Sequence, residues 1–324
     1  MVKKRNFATT GILLLTLLCG ALTFSSCGDK TDYKELYRRE GIAKLDEGDY
    51  QGAIRAFNDA LSQGHGFVKK TDYDINYYLG YAYYLNGDYA EAISRYDSII
   101  ALKPKDTNAY YYRALSKLHT GDRNGADEDF LVVTNSDPKN YDLCIDVYFC
   151  MVDAGYQTEA DSYLKAVLEN ADASMSEYDK GRICYYLKDY SNARVYLEKA
   201  KTMSDPDTIL MLGKTYEAIS DYSYAASLYN SYLEEKGNNA AVYNQLGVCR
   251  IKMQDYPAAI SAFSSGLSVD NGEWEQELLY NEVLAYEYSL DFETAYEKMG
   301  EYLEKYPKDA DAQREYIFLG TRQK

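Results

Sequence analysis

The chain has 324 residues, of which 46% are hydrophobic, so it is long enough and apolar enough to build a sizeable core. It carries 35 basic and 51 acidic residues, a formal net charge of −16, which works against nucleic acid or anionic lipid head groups as partners. Two histidines and 37 tyrosines make it poor in catalytic and metal-binding side chains and rich in amphipathic aromatic ones.

The first 26 residues read as a message of their own. Lys3, Lys4 and Arg5 precede a mostly apolar run from Phe7 to Phe24, and Ser25-Ser26-Cys27-Gly28 follows. A basic start, an apolar middle and small residues before a cut form a secretory signal. The cysteine behind two small residues resembles the bacterial lipoprotein signal, although Phe24 stands where that family favours leucine. The resemblance implies cleavage before Cys27 and a diacylglycerol on its thiol. Cys19, preceded by Leu17-Leu18, is a poorer candidate. An uncleaved anchor is the alternative, since the run reaches roughly the 18-residue length of a membrane span. Either way the rest of the chain is expected outside the cytoplasm, in the cell envelope, on a short linker over residues 27–33. Loss of Lys3, Lys4 and Arg5 would leave 32 basic against 51 acidic residues, a net charge of −19. Attachment would then rest on the lipid, not on a basic patch.

From residue 34 onwards the chain repeats. Eight alanines (Ala53, Ala92, Ala126, Ala160, Ala193, Ala225, Ala259 and Ala295) follow one another at steps of 39, 34, 34, 33, 32, 34 and 36 residues. Four residues after each stands a large side chain: Phe57, Tyr96, Phe130, Leu164, Leu197, Tyr229, Phe263 and Met299. Twelve residues before five of them stands glycine: Gly41, Gly80, Gly181, Gly213 and Gly247. Gly48-Asp49-Tyr50, Gly87-Asp88-Tyr89 and Gly121-Asp122 mark a helix stop followed by a turn. A period in the thirties with a small residue where two helices cross is the mark of stacked helix pairs.

This pattern resembles the tetratricopeptide repeat, with Pro104, Pro138 and Pro307 at the place where that family often carries proline. The resemblance implies an all-α fold, a right-handed superhelix of about eight helix pairs over 34–307. The units start near 34, 73, 107, 141, 174, 206, 240 and 276, and a capping helix covers 308–324. The fourth and eighth units depart from the pattern, with Tyr148 and Val283 in place of the small residue, and Gly64-His65-Gly66 lengthens one loop.

Chemistry is scarce. Neither a phosphate-binding glycine loop nor a nucleophile elbow occurs, and the abundant carboxylates read as solvated faces. Cys144, Cys150, Cys184 and Cys249 read as buried free thiols packing as small apolar groups, and no cofactor or metal site is expected. The expected role is non-enzymatic.

In the tetratricopeptide family the first helix of each pair, helix A, lines a groove. Carrying those positions over gives Tyr77, Tyr81 and Tyr84, then Tyr111, then Ile145 and Phe149, then Tyr178, Arg182, Tyr185 and Tyr186, then Lys214 and Glu217. Either these tyrosines only pack between neighbouring A helices, or together they grip a partner peptide. Arg182 and Lys214 are the expected anchors for an anionic group. The lysine and asparagine of the chaperone carboxylate clamp are missing, since Tyr77, Tyr81, Tyr111 and Leu115 stand there. The function implied is a membrane-anchored scaffold that binds an envelope protein or peptide. The alternative is a glycan- or cell-wall-binding lipoprotein that stacks sugar rings on the same aromatics.

Overall fold

The computed structural model describes residues 32–64, 70–202 and 205–322. The signal segment 1–26, Cys27 with linker residues 28–31, and His65-Gly66 of the lengthened loop lie outside the described residues. So does the apolar run 7–24. Among the described residues no helix is long and apolar enough to cross a membrane.

Those residues form seventeen helices and no strand. The chain divides into two compact units, Met1–Pro104 and Lys105–Lys324, where the sequence suggests one array. The first holds α1 (Tyr33–Asp46), α2 (Tyr50–Ser62), α3 (Lys70–Asn86) and α4 (Tyr89–Leu102). The second begins with α5 (Thr107–Thr120), α6 (Arg123–Ser136), α7 (Tyr141–Asp153), α8 (Gln157–Glu169), α9 (Glu177–Tyr186) and α10 (Tyr190–Ala200). It continues with α11 (Pro206–Ala218), α12 (Tyr222–Lys236), α13 (Ala240–Lys252), α14 (Tyr256–Val269), α15 (Glu275–Tyr288) and α16 (Phe292–Lys305), and ends with α17 (Ala310–Gly320). Odd-numbered helices up to α15 are the A helices, and each packs on the even-numbered B helix that follows it.

The periodic alanines are what lets A and B touch. All eight are fully buried, and the large residues four positions on are at most 2% exposed. On α2 the buried set Gly52, Ala53, Ala56, Phe57 and Ala60 recurs every three to four residues, the spacing of one helix face. The upstream glycines fit against these large residues. A Cβ added at Gly41 would come within 2.5 Å of the Phe57 ring, and one at Gly213 within 2.2 Å of Tyr229. The glycine is therefore the socket and the aromatic the knob.

The two departing units solve the same contact differently. Tyr148 on α7 is buried, and its hydroxyl reaches the Asp161 carboxylate on α8 and the Tyr186 carbonyl, both at 3.2 Å. Val283 on α15 meets a methionine, Met299, and both are fully buried. An unbranched thioether adapts to a valine in the socket where a ring would not.

The A–B turns share one backbone. In each, the residue five before the alanine lies in the left-handed region: Gly48, Gly87, Gly121 and Gly155 at φ 76–90°, then Lys188, Ser220, Gln254 and Leu290 at φ 62–67°. The next amide closes the turn on a carbonyl five residues back, as in Asp49 N to Lys44 O at 2.9 Å and Asp291 N to Tyr286 O at 3.0 Å. Aspartate then caps helix B. The Asp49 carboxylate accepts from the Gly52 amide, Asp122 from Gly125, Asp221 from Tyr224 and Asp291 from Thr294. Asp88 makes no such cap bond and accepts from the Asn86 amide instead, at 2.7 Å.

Candidate functional site

The A helices carry all the groove residues singled out from the sequence; Ile145 is buried, and Tyr77, Tyr81, Tyr84, Tyr111, Tyr178, Arg182, Tyr185 and Lys214 are half-buried. Three belong to the first unit. Tyr77, Tyr81 and Tyr84 follow one another at four and three residues on α3, so they share a face. The Tyr81 and Tyr84 rings stack at 6.5 Å and Tyr84 meets Tyr89 edge-on at 5.9 Å. Tyr77 sets its edge against Tyr96, the knob of its own pair, at 5.8 Å.

In the second unit Tyr111 is committed to packing. Its hydroxyl lies 3.3 Å from the Cys150 thiol, and its ring meets Tyr112 and Phe130 edge-on at 5.5 and 6.1 Å. Burial drives the Tyr111 phenol far above its usual range and pushes the Cys150 thiol up to about 11. The four cysteines are free. Cys144, Cys184 and Cys249 are buried as expected, but Cys150 is half-buried.

Tyr178, Arg182 and Tyr185 lie on α9. The expectation that Arg182 is open to an incoming anion needs correction. One terminal nitrogen of its guanidinium lies 2.5 Å from the Asp142 carboxylate and the other 3.0 Å from Asp179. Its plane sits 5.2 Å from the Tyr178 ring. Burial disfavours the charge, but the hydrogen bond and charge of Asp142, with the charge of Asp179, hold the group ionised. The Asp179 partner is a legible i,i+3 pair. Asp142, on a different pair, is not.

Lys214 on α11 opposes the charge of Glu217, one turn further along the same helix. Burial raises the Glu217 carboxyl, which accepts from the Tyr229 hydroxyl at 2.7 Å. The basic groups of this surface are thus matched internally by carboxylates.

What the fold brings together is aromatic. Phe149 and Tyr186 meet edge-on at 4.9 Å and Tyr185 and Tyr186 at 5.7 Å, while Tyr185 and Tyr190 are tilted at 5.7 Å. These contacts run from α7 across α9 to the start of α10, and Tyr178, beside Arg182, lies two turns before Tyr185 on the same face of α9. Burial pushes the Tyr178 and Tyr185 phenols up to about 12, so both stay neutral donors. Such rings offer large, rigid contact area with a polar edge, suited to a peptide and not to acid–base chemistry. Among the described residues no group of three or more His, Cys, Asp or Glu is placed to hold a metal ion.

Family models of the tetratricopeptide repeat match residues 38–107 and 178–207. Together with the in-phase knobs and sockets of eight helix pairs, these matches show what the repeats are. The chain carries tetratricopeptide repeats. Proteins with such repeats bind protein or peptide partners through scaffolds that are generally not enzymes.

Several solved structures are similar to this chain. A tetratricopeptide repeat protein from Parabacteroides merdae ATCC 43184 is 16% identical, with 77% of this chain and 98% of that chain covered and a TM-score of 0.43. The Cut9–Hcn1 hetero-tetramer of the APC/C gives 16% identity and a TM-score of 0.44, over 89% of this chain and 56% of that one. YrrB, described as a tetratricopeptide protein with an unusual peptide-binding site, is 19% identical over 57% of this chain and 96% of its own, with a TM-score of 0.38. No curated protein matches the sequence.

Proposed function

We propose that the chain is an extracytoplasmic scaffold held to a membrane by a lipid on Cys27. Its partner is an extended segment of another envelope protein, gripped on the A-helix surface of the second unit. The observation that carries the reading is the run of ring contacts from Phe149 through Tyr186 to Tyr185, with Tyr178 two turns away on the same face of α9. These rings are half-buried and lie on helices whose opposite faces already serve the core. Half-burial holds a ring in place at little entropic cost while leaving contact area for a ligand. The match of Arg182 to Asp142 and Asp179 favours a partner that meets the site by apolar and hydrogen-bonding groups over one that brings a single strong anion. The anchor is supported by the Ser25-Ser26-Cys27 segment and by an acidic chain that offers anionic lipid no general attraction.

Replacing both Tyr178 and Tyr185 with alanine tests the grip. Partner capture in intact cells is expected to fall at least about tenfold with helical content unchanged. Undiminished capture overturns the reading. Cys27→Ser is expected to move the protein from the membrane to the soluble fraction, and persistence in the membrane fraction overturns the lipid anchor.

A further inference from the structure

Tyr148, which breaks the repeat pattern in the fourth pair, also acts beyond its own pair. Its hydroxyl lies 3.2 Å from the Tyr186 carbonyl on α9, and its ring stacks on the Tyr186 ring at 6.5 Å. Tyr186, held in this way, meets Phe149 at 4.9 Å and 80° and Tyr185 at 5.7 Å and 75°. Tyr190 continues the row, tilted at 5.7 Å from Tyr185. Four half-buried rings therefore meet one after another, the first three nearly at right angles.

The hydroxyls of this row differ from others in the same unit. Tyr216 and Tyr224 donate to Glu198 at 2.8 and 3.0 Å, Tyr229 to Glu217 at 2.7 Å, Tyr302 to Asp309 at 2.7 Å and Tyr306 to Glu275 at 2.9 Å. Those of Tyr185, Tyr186 and Tyr190 make no hydrogen bond among the described residues, and none of the three is sealed from solvent. Three carboxylates on α7, α9 and α11 are already engaged, Asp142 and Asp179 by Arg182 and Glu217 by Tyr229. The row thus presents O–H donors and apolar ring surface, with no strong acceptor among its own groups.

A surface rich in donors and poor in acceptors selects against an ordinary extended peptide. Every residue of such a peptide brings an N–H that would lose water without gaining a partner. Proline brings none. A proline-rich segment also holds the polyproline II conformation before it binds, makes no internal hydrogen bonds, and docks its rings among aromatic side chains. Rings at right angles form corners that receive a pyrrolidine ring, whereas a sugar stacks on an open, flat ring face.

We propose that the row of Phe149, Tyr186, Tyr185 and Tyr190 takes a proline-rich segment in the polyproline II conformation, with its rings in the aromatic corners and its carbonyls accepting from the three tyrosine hydroxyls. The proposal rests on the scaffold reading, whose partner segment it describes.

The probe is labelled decaproline, titrated against the purified full chain. A decapeptide of alternating leucine and serine and a linear tetrasaccharide of N-acetylglucosamine serve as comparisons. Decaproline is expected to bind saturably, with Kd below about 1 mM, and more tightly than either. The variant Tyr185→Phe/Tyr186→Phe/Tyr190→Phe keeps every ring and removes no internal hydrogen bond, so it should melt with the parent chain. Its affinity for decaproline should fall on the order of tenfold. Equal binding by this variant overturns the proposal, as does equal binding of the leucine–serine peptide. Tetrasaccharide binding that the variant abolishes also overturns it, by assigning the row to a sugar. Failure of decaproline to bind, with partner capture in cells still lost in Tyr178→Ala/Tyr185→Ala, overturns the proline-rich occupant and leaves the scaffold reading standing. Capture indifferent to those two alanines removes the grip, and this proposal with it.

Discussion

The first four A–B turns and the last four have the same backbone and are made from different residues. Gly48, Gly87, Gly121 and Gly155 take the left-handed conformation without a Cβ to oppose it. Lys188, Ser220, Gln254 and Leu290 take it against the preference of an L side chain. The turn geometry is therefore imposed by the stack and not by the turn residue. Wherever alanine and its knob lock A to B and an aspartate or its equivalent starts helix B, the chain between has one way to close. Glycine lowers the cost of that closure but does not create it. The contact glycines are a separate matter: Gly41, Gly80, Gly181, Gly213 and Gly247 occur on both sides of the divide, because the space they free is filled by a side chain.

That distinction yields a ranked set of outcomes. The largest effect is expected at a contact glycine. Gly213→Ala sets a methyl into Tyr229 and should cost about 2–3 kcal/mol in urea denaturation, since both helices must shift. A cost no larger than that of a turn glycine would erase the difference between socket and turn. Next come the turn glycines. Gly87→Ala and Gly121→Ala place a Cβ in open space, so the expected loss of about 1 kcal/mol each is purely conformational.

Caps should follow at about 1 kcal/mol. Asp221→Ala removes an accepted bond from the Tyr224 amide, whereas Asp88→Ala removes no cap bond and should cost clearly less. Equal losses would show that the charge at the helix start matters and the hydrogen bond does not. The smallest effect runs the other way. Leu290→Gly removes left-handed strain and an exposed leucine, and should raise stability by about 0.5–1 kcal/mol. A loss there would mean that the leucine packs in the folded unit.

One outcome depends on pH. Burial raises the folded-state pKa of Glu217, so the ionised carboxylate costs stability at neutral pH. That cost fades as pH falls through the folded value and is gone below the unfolded one. Glu217→Gln should therefore raise the melting temperature at pH 7, with the gain shrinking towards pH 4. A gain independent of pH would assign it to packing.

The eight alanines, their knobs and five of the sockets are legible in the sequence because close helix contact demands a small residue opposite a large one at a constant interval. The departures at Tyr148 and Val283 are legible as departures. Their remedies, a phenol bonded to Asp161 and Tyr186 and a pliant Met299, depend on packing. The turns at Lys188, Ser220, Gln254 and Leu290 are illegible to a search for glycine, and the aspartate that follows each is the better signal. The paired state of Arg182 is half legible, through Asp179 three residues away, and half hidden, through Asp142 on another helix. The acidic Asp129, buried against Arg113 and Lys117 at 2.6 and 2.9 Å, is likewise hidden, since a run of charges reads as surface until the pair closes over it.

The measurement that bears most directly on the scaffold reading is site-resolved photocrosslinking in living cells. A photoreactive phenylalanine at Tyr185 samples the ring surface, and one at Glu234 samples an exposed stretch of α12. The account predicts a discrete protein adduct from position 185 and none from 234. The same adducts from both positions, or none from 185 in a cell that expresses the folded protein, would contradict it.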